Sequence, residues 1–172
     1  GDGNSVKNVT AKRRRYGVYT SGGTNITITG LTASQSSTGL YMAAPGSIAL
    51  LSGLTLTGNS IGFWIDNYNG LDAIPGSPPT NFAFDLTTFA DLTRNVDKSI
   101  RFGAGVKNVI VRGSASQKLV LDADAGVYSD NGAPSGLLLE NLDVSSRRGY
   151  AASSWGINLG GTTLVKNDSH VL

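Results

Sequence analysis

Asn25-Ile26-Thr27-Ile28-Thr29-Gly30-Leu31-Thr32-Ala33-Ser34 is followed, after a short polar stretch, by Gly39-Leu40-Tyr41-Met42. The same order returns as Ser47-Ile48-Ala49-Leu50-Leu51-Ser52-Gly53-Leu54-Thr55-Leu56 and then Gly62-Phe63-Trp64-Ile65. The two glycines stand nine residues apart in both copies, and from Gly30 to Gly53 the second copy lies 23 residues after the first. A partial copy, Asn8-Val9-Thr10-Ala11 with Gly17-Val18-Tyr19-Thr20, lies 22 residues upstream. Within each copy, apolar residues alternate with threonine or serine, the period of a half-buried strand. Units of this length built from short strands bury no core singly, but stacked they do. The repeat therefore predicts a β-solenoid, with any function carried on its surface.

Composition agrees. The 172 residues suit one domain, 1–172, and 23 glycines with only 15% charged residues suit a turn-rich β fold better than helices or disorder. Cysteine is absent, which excludes disulfides, zinc–thiolate sites and cysteine nucleophiles. No apolar run reaches the length of a membrane span, so no membrane insertion is expected. The net charge is +2 and one basic run stands out, Lys12-Arg13-Arg14-Arg15. It reads as a solvated turn or as a contact with an anionic polymer or a second subunit. A nucleic-acid partner is not expected, since basic residues are not spread along a face with aromatics between them.

Following the repeat predicts inward columns of Ile28, Leu51, Val111 and Leu139, and of Val18, Leu40 and Phe63. It also predicts an outward row of Tyr19, Tyr41 and Trp64. The stretch Asp66 to Asn81 holds three of the five prolines and reads as a loop excursion. The solenoid is expected to resume at Phe82 to Leu86, with Ser99 to Phe102 as partner. Asn108 to Gly113 matches Asn25 to Gly30. Its partner, Gly126 to Ser129, comes late, so Lys118 to Asp124 is expected to form a smaller bulge. Leu137 to Val144 makes a last full coil. In all, six or seven coils of about 22–28 residues are expected, in an all-β, single-stranded parallel β-helix. Neither end shows a cap, which suggests a fragment of a longer chain or one subunit of a homotrimer.

The motifs Asn8-Val9-Thr10 with Gly17-Val18-Tyr19, Gly-Leu-Thr with Gly-(Leu/Phe)-(Tyr/Trp), and Gly136-Leu137-Leu138-Leu139-Glu140-Asn141-Leu142-Asp143-Val144 resemble right-handed parallel β-helices of the pectin-lyase-like type. Most of all they resemble the β-helical part of bacteriophage tailspikes. The resemblance covers roughly residues 4 to 166 and rests on motifs that specify a coil, not a chemistry. It implies recognition of a bacterial surface polysaccharide, with or without depolymerising it, in the virion or outside the cell. Two rival readings follow from the same coil: a secreted polysaccharide lyase or glycoside hydrolase acting alone, and a structural scaffold without a ligand.

No Gly-x-Ser-x-Gly elbow occurs, and the one histidine, His170, reads as a tail residue, so a serine triad is excluded. Glycoside hydrolysis needs two carboxylates across a cleft. Asp122 and Asp124, on one face by alternation, are the best pair, with Asp85 one coil earlier; their competing reading is as caps of turn amides. The lone glutamate, Glu140, reads as an outward surface residue. Trp64, Asp66, Asn67 and Tyr68, where the long loop leaves the coil, suit a saccharide platform of ring and hydroxyl partners. The outward tyrosine–tryptophan row reads equally as a sugar stripe or a subunit contact. Neither a cofactor nor a metal is expected.

Overall fold

The computed structural model describes residues 2–43, 45–46, 48–66, 83–84, 89–103, 106, 109–130, 137–146, 155–159, 163–166 and 170–171. Every described element is a strand, and every strand pairing is parallel. Strands come in threes, one triplet per rung. Rung one holds β1 (Ser5–Lys7), β2 (Thr10–Lys12) and β3 (Tyr16–Ser21), and rung two β4 (Ile26–Thr29), β5 (Thr32–Ser34) and β6 (Thr38–Ala43). Rung three holds β7 (Ile48–Ser52), β8 (Leu54–Thr57) and β9 (Ile61–Asp66), and rung four β10 (Ala83–Phe84), β11 (Phe89–Asp91) and β12 (Lys98–Phe102). Rung five holds β13 (Ile110–Arg112), β14 (Leu119–Leu121) and β15 (Ala125–Ser129), and rung six β16 (Leu137–Glu140), β17 (Leu142–Val144) and β18 (Trp155–Asn158). Two further strands, β19 (Thr163–Lys166) and β20 (His170–Val171), follow.

The chain is thus a parallel β-solenoid of about five turns, slightly fewer than the six or seven expected: its six rungs are joined by five full turns. The turns also vary more in length than expected. In-register residues Val18, Leu40, Phe63, Ile100, Val127 and Ile157 are separated by 22, 23, 37, 27 and 30 residues. One sheet runs unbroken through all six rungs, β3-β6-β9-β12-β15-β18, and we call it the spine. The sheet of first strands is divided between β7 and β10, and that of second strands between β11 and β14. The expected columns are present: Ile28 lies beside Leu51 and Val111 beside Leu139, all buried, although the division places these two pairs in separate sheets.

The two recurring glycines have separate physical causes. Gly30 and Gly53 turn the chain from first strand to second with φ of 65° and 60°, where glycine meets no Cβ penalty. Asn8 and Asn141 take the same left-handed turn in rungs one and six, both at φ 53°. Gly39 and Gly62 open the spine strands at a corner with no room for a side chain: a Cβ on Gly39 would lie 2.7 Å from the Gly62 carbonyl oxygen.

Two expectations need correction. Leu119–Leu121 is a regular strand paired with β17, not part of a bulge. The extra residues of that turn lie at 114–117, where the Ser114 hydroxyl accepts a hydrogen bond from the Gln117 amide at 3.0 Å. His170 belongs to β20, in register with Asp143, and is not a loose tail. Resumption of the solenoid at Ala83–Phe84 and at Lys98–Phe102 agrees with the sequence reading.

Candidate functional site

The outer face of the spine gathers the most chemistry. In register down its rungs stand Tyr19, Tyr41, Trp64, Arg101, Tyr128 and Asn158. Alternation puts Val18, Leu40 and Phe63 into the core and their successors outside, so the row follows directly from the period of a strand. The side chains stack along the solenoid axis. Tyr41 and Trp64 lie 4.2 Å apart between ring centroids at 18°, and Tyr19 lies 5.2 Å from Tyr41. Tyr16 closes the group at 5.4 Å from Tyr19 and 5.3 Å from Tyr41. On the other side of Trp64, the Arg101 guanidinium sits 4.1 Å from the indole centroid. Both indole faces are therefore occupied by the protein itself. A sugar meets this row at ring edges unless Arg101 moves aside, which differs from the open platform expected at Trp64.

Carboxylates flank the row. The Asp66 carboxylate accepts a hydrogen bond from the Tyr41 hydroxyl at 3.0 Å, and both residues are buried. Burial, and then the adjacent Asp66 charge, push the Tyr41 phenol well above its ordinary value, so it stays a proton donor to Asp66. Asp130 follows Tyr128 by two residues, as Asp66 follows Trp64, and it takes Arg101 in a two-pronged pair with contacts of 3.0 to 3.3 Å. That pair holds the guanidinium over Trp64. One rung on, the Lys98 ammonium lies 4.7 Å from the Tyr128 ring centroid and 2.7 Å from Asp97.

Of the residues expected to bind substrate, the structure thus brings Trp64 and Asp66 together; Asn67, Tyr68 and the rest of the long loop lie outside the described residues. Asp85 also lies outside them. Asp122 and Asp124 stand in the turn that enters β15, at the opposite edge of the spine from Asp66. Six positions of strand separate the two levels, roughly 20 Å at the usual rise, so these acids and Asp66 do not converge. The sequence reading of one groove walled by both segments turns on residues 67–81, which lie outside the described residues.

Asp122 has a defined local task. Its carboxylate accepts the Arg94 amide at 2.6 Å, and the residue is only 8% exposed. This is one step of a ladder on the inside of the corner before the spine. The Arg14 amide donates to the Ser36 hydroxyl, the Ser36 amide to the Asn59 side-chain oxygen, and the Asn59 amide to that of Asn95, all at 3.0 to 3.1 Å. Asn59 and Asn95 also donate to the Ala33 and Leu56 carbonyl oxygens. The ladder satisfies amides that a tight buried corner would otherwise leave unmet. Glu140, as expected, faces outward, in register between Arg112 and Lys166.

Sequence reasoning missed the Arg101–Trp64 contact, Asp130 and the Lys98–Tyr128 contact. The signal was present: Trp64-Ile65-Asp66 and Tyr128-Ser129-Asp130 share one pattern, and Arg101 occupies the Trp64 position in Ser99-Ile100-Arg101-Phe102. Compared with protein-family models, curated proteins and solved structures, the chain matches none.

Proposed function

We propose that the protein is a recognition solenoid of the bacteriophage-tailspike kind, binding a bacterial surface polysaccharide along the outer face of its spine, in the virion or outside the cell. The observation that carries this reading is the in-register row from Tyr19 to Tyr128 on the one sheet that runs unbroken through every rung. A linear, rigid row of ring edges, hydroxyls, cations and carboxylates suits a linear polymer whose repeating units offer hydroxyls and apolar edges. Assembly into a homotrimer belongs to the same proposal. Cleavage is not part of it.

The rival reading as a scaffold is favoured by one observation: Trp64 is enclosed by Tyr41 and Arg101, so the row also acts as a stabilising stack, at about 0.5–1.5 kcal/mol per aromatic pair. An array of bacterial surface polysaccharides separates the two. Retention of at least one polysaccharide, weakened about tenfold or more in a folded Arg101→Ala variant, is the expected result. Folded protein that retains none of the polysaccharides leaves the scaffold.

A further inference from the structure

The corner that enters the spine in rung one carries four consecutive basic residues, Lys12 to Arg15, all exposed. We infer that this corner is an anion-binding surface, which makes the polymer of the proposed function an acidic glycan, one bearing carboxylate or phosphate groups; the inference rests on that reading. Three features distinguish the corner from an ordinary solvated turn.

The first is unmatched charge. The same corner carries Ser34 to Ser37 in rung two and Thr57 to Ser60 in rung three, all uncharged. Among the described residues no carboxylate pairs with Arg13, Arg14 or Arg15: the described ion pairs are Lys98–Asp97 and Arg101–Asp130. Among the described residues, the carboxylates on and beside the spine, Asp66, Asp97, Asp124 and Asp130, begin at rung three, and Lys98 and Arg101 pair with two of them. The basic run in rung one has no such carboxylate beside it, which favours a polyanion there.

The second is rigidity. The Arg13 amide donates to the Ser34 carbonyl oxygen and the Arg14 amide to the Ser36 hydroxyl. In return the Arg14 and Arg15 carbonyl oxygens accept from Ser37 and Thr38. Arg13 sits at φ 58°, a left-handed conformation also taken by Gln35, Gly58 and Arg94 at the same corner. Its guanidinium is steered by a 3.1 Å hydrogen bond to the Gln35 side chain, and that of Arg15 lies 5.2 Å from the Tyr16 ring centroid. Cations held on a fixed backbone lose less freedom on meeting an anion than cations on a loose loop.

The third is the neighbourhood. Four residues beyond Arg15, roughly 13 Å of strand, stands Tyr19, at 44% exposure the most open ring of the row. A stretched acidic glycan spans from the cations to that ring. Single-stranded nucleic acid is disfavoured by the same geometry, since it needs open aromatic faces and those of Tyr41 and Trp64 are covered.

The test is binding of the full chain to immobilised polygalacturonate and alginate (carboxylate), a glycerol-phosphate teichoic acid (phosphate), neutral dextran and an oligothymidylate, at several salt concentrations. The expected result is salt-sensitive retention on at least one acidic glycan, reduced about tenfold by Arg13→Gln/Arg14→Gln/Arg15→Gln and unchanged by Arg94→Gln, which removes a cation from the same corner three rungs lower. Restoration by the triple lysine variant supports a charge effect, and circular dichroism of each variant guards against misfolding. Equal binding by the folded triple glutamine variant overturns the inference. Retention of neutral dextran alone overturns it while leaving polysaccharide recognition standing. Binding of oligothymidylate alone, or of no polymer, overturns both.

Discussion

Asp122 shows how one residue's environment decides its chemistry. A carboxylate two positions from another acid, after an apolar strand, invites a catalytic reading, yet its oxygen caps the Arg94 amide 2.6 Å away. Two of the preceding steps in the ladder are asparagines, Asn59 and Asn95, whose side-chain oxygens accept in the same way. Asp122→Asn keeps that acceptor and is expected to change stability by less than about 1 kcal/mol, whereas Asp122→Ala strands a buried amide and should cost about 1–3 kcal/mol. Denaturant titration of the two variants decides the matter. Equal, large losses would remove the ladder account, and loss of a glycosidase activity in folded Asp122→Asn would return Asp122 to the catalytic role.

At the scale of the strand, what the sequence made legible was whatever has a local cause. Gly30 and Gly53 recur because the chain must turn left-handed there, and Gly39 and Gly62 because the next rung's backbone fills the space of a Cβ. Ile28, Leu51, Leu40 and Phe63 were readable because alternation alone selects the inner face. Phe89–Asp91 was not, since a three-residue strand without alternation carries no period. Leu119–Leu121 was read as a bulge because four residues inserted before it stretch the glycine spacing, and only its pairing with Leu142–Val144 makes it a strand. The Arg101 contact with Trp64 depends on how a 37-residue turn closes, which no local pattern states. Phe63, fully buried between Leu40 and Ile100, tests the column: Phe63→Ala should cost about 3–5 kcal/mol in denaturant unfolding. A loss under about 1 kcal/mol would contradict an inward Phe63.

The whole molecule depends on the spine. Among the described residues the first-strand and second-strand sheets are each interrupted, so the continuity of those residues through rungs three, four and five rests on β9, β12 and β15 staying in register. Every part of the proposed binding face inherits that register: Trp64 beneath Arg101, Arg101 on Asp130, and the row's extension to Tyr128. The register is testable without any ligand, because the chain has no cysteine of its own. In-register neighbours in adjacent strands have Cα atoms about 4.8 Å apart, within the range a disulfide spans. The most direct measurement is oxidative cross-linking of Trp64→Cys/Arg101→Cys against Trp64→Cys/Phe102→Cys, scored by mass spectrometry of the digested protein. The account predicts rapid, near-complete cross-linking of the first pair and little of the second, whose side chains point to opposite faces. Preferential cross-linking of the second pair would mean that the chain returns from its longest turn one residue out of step, and the row on which the function is proposed would not exist.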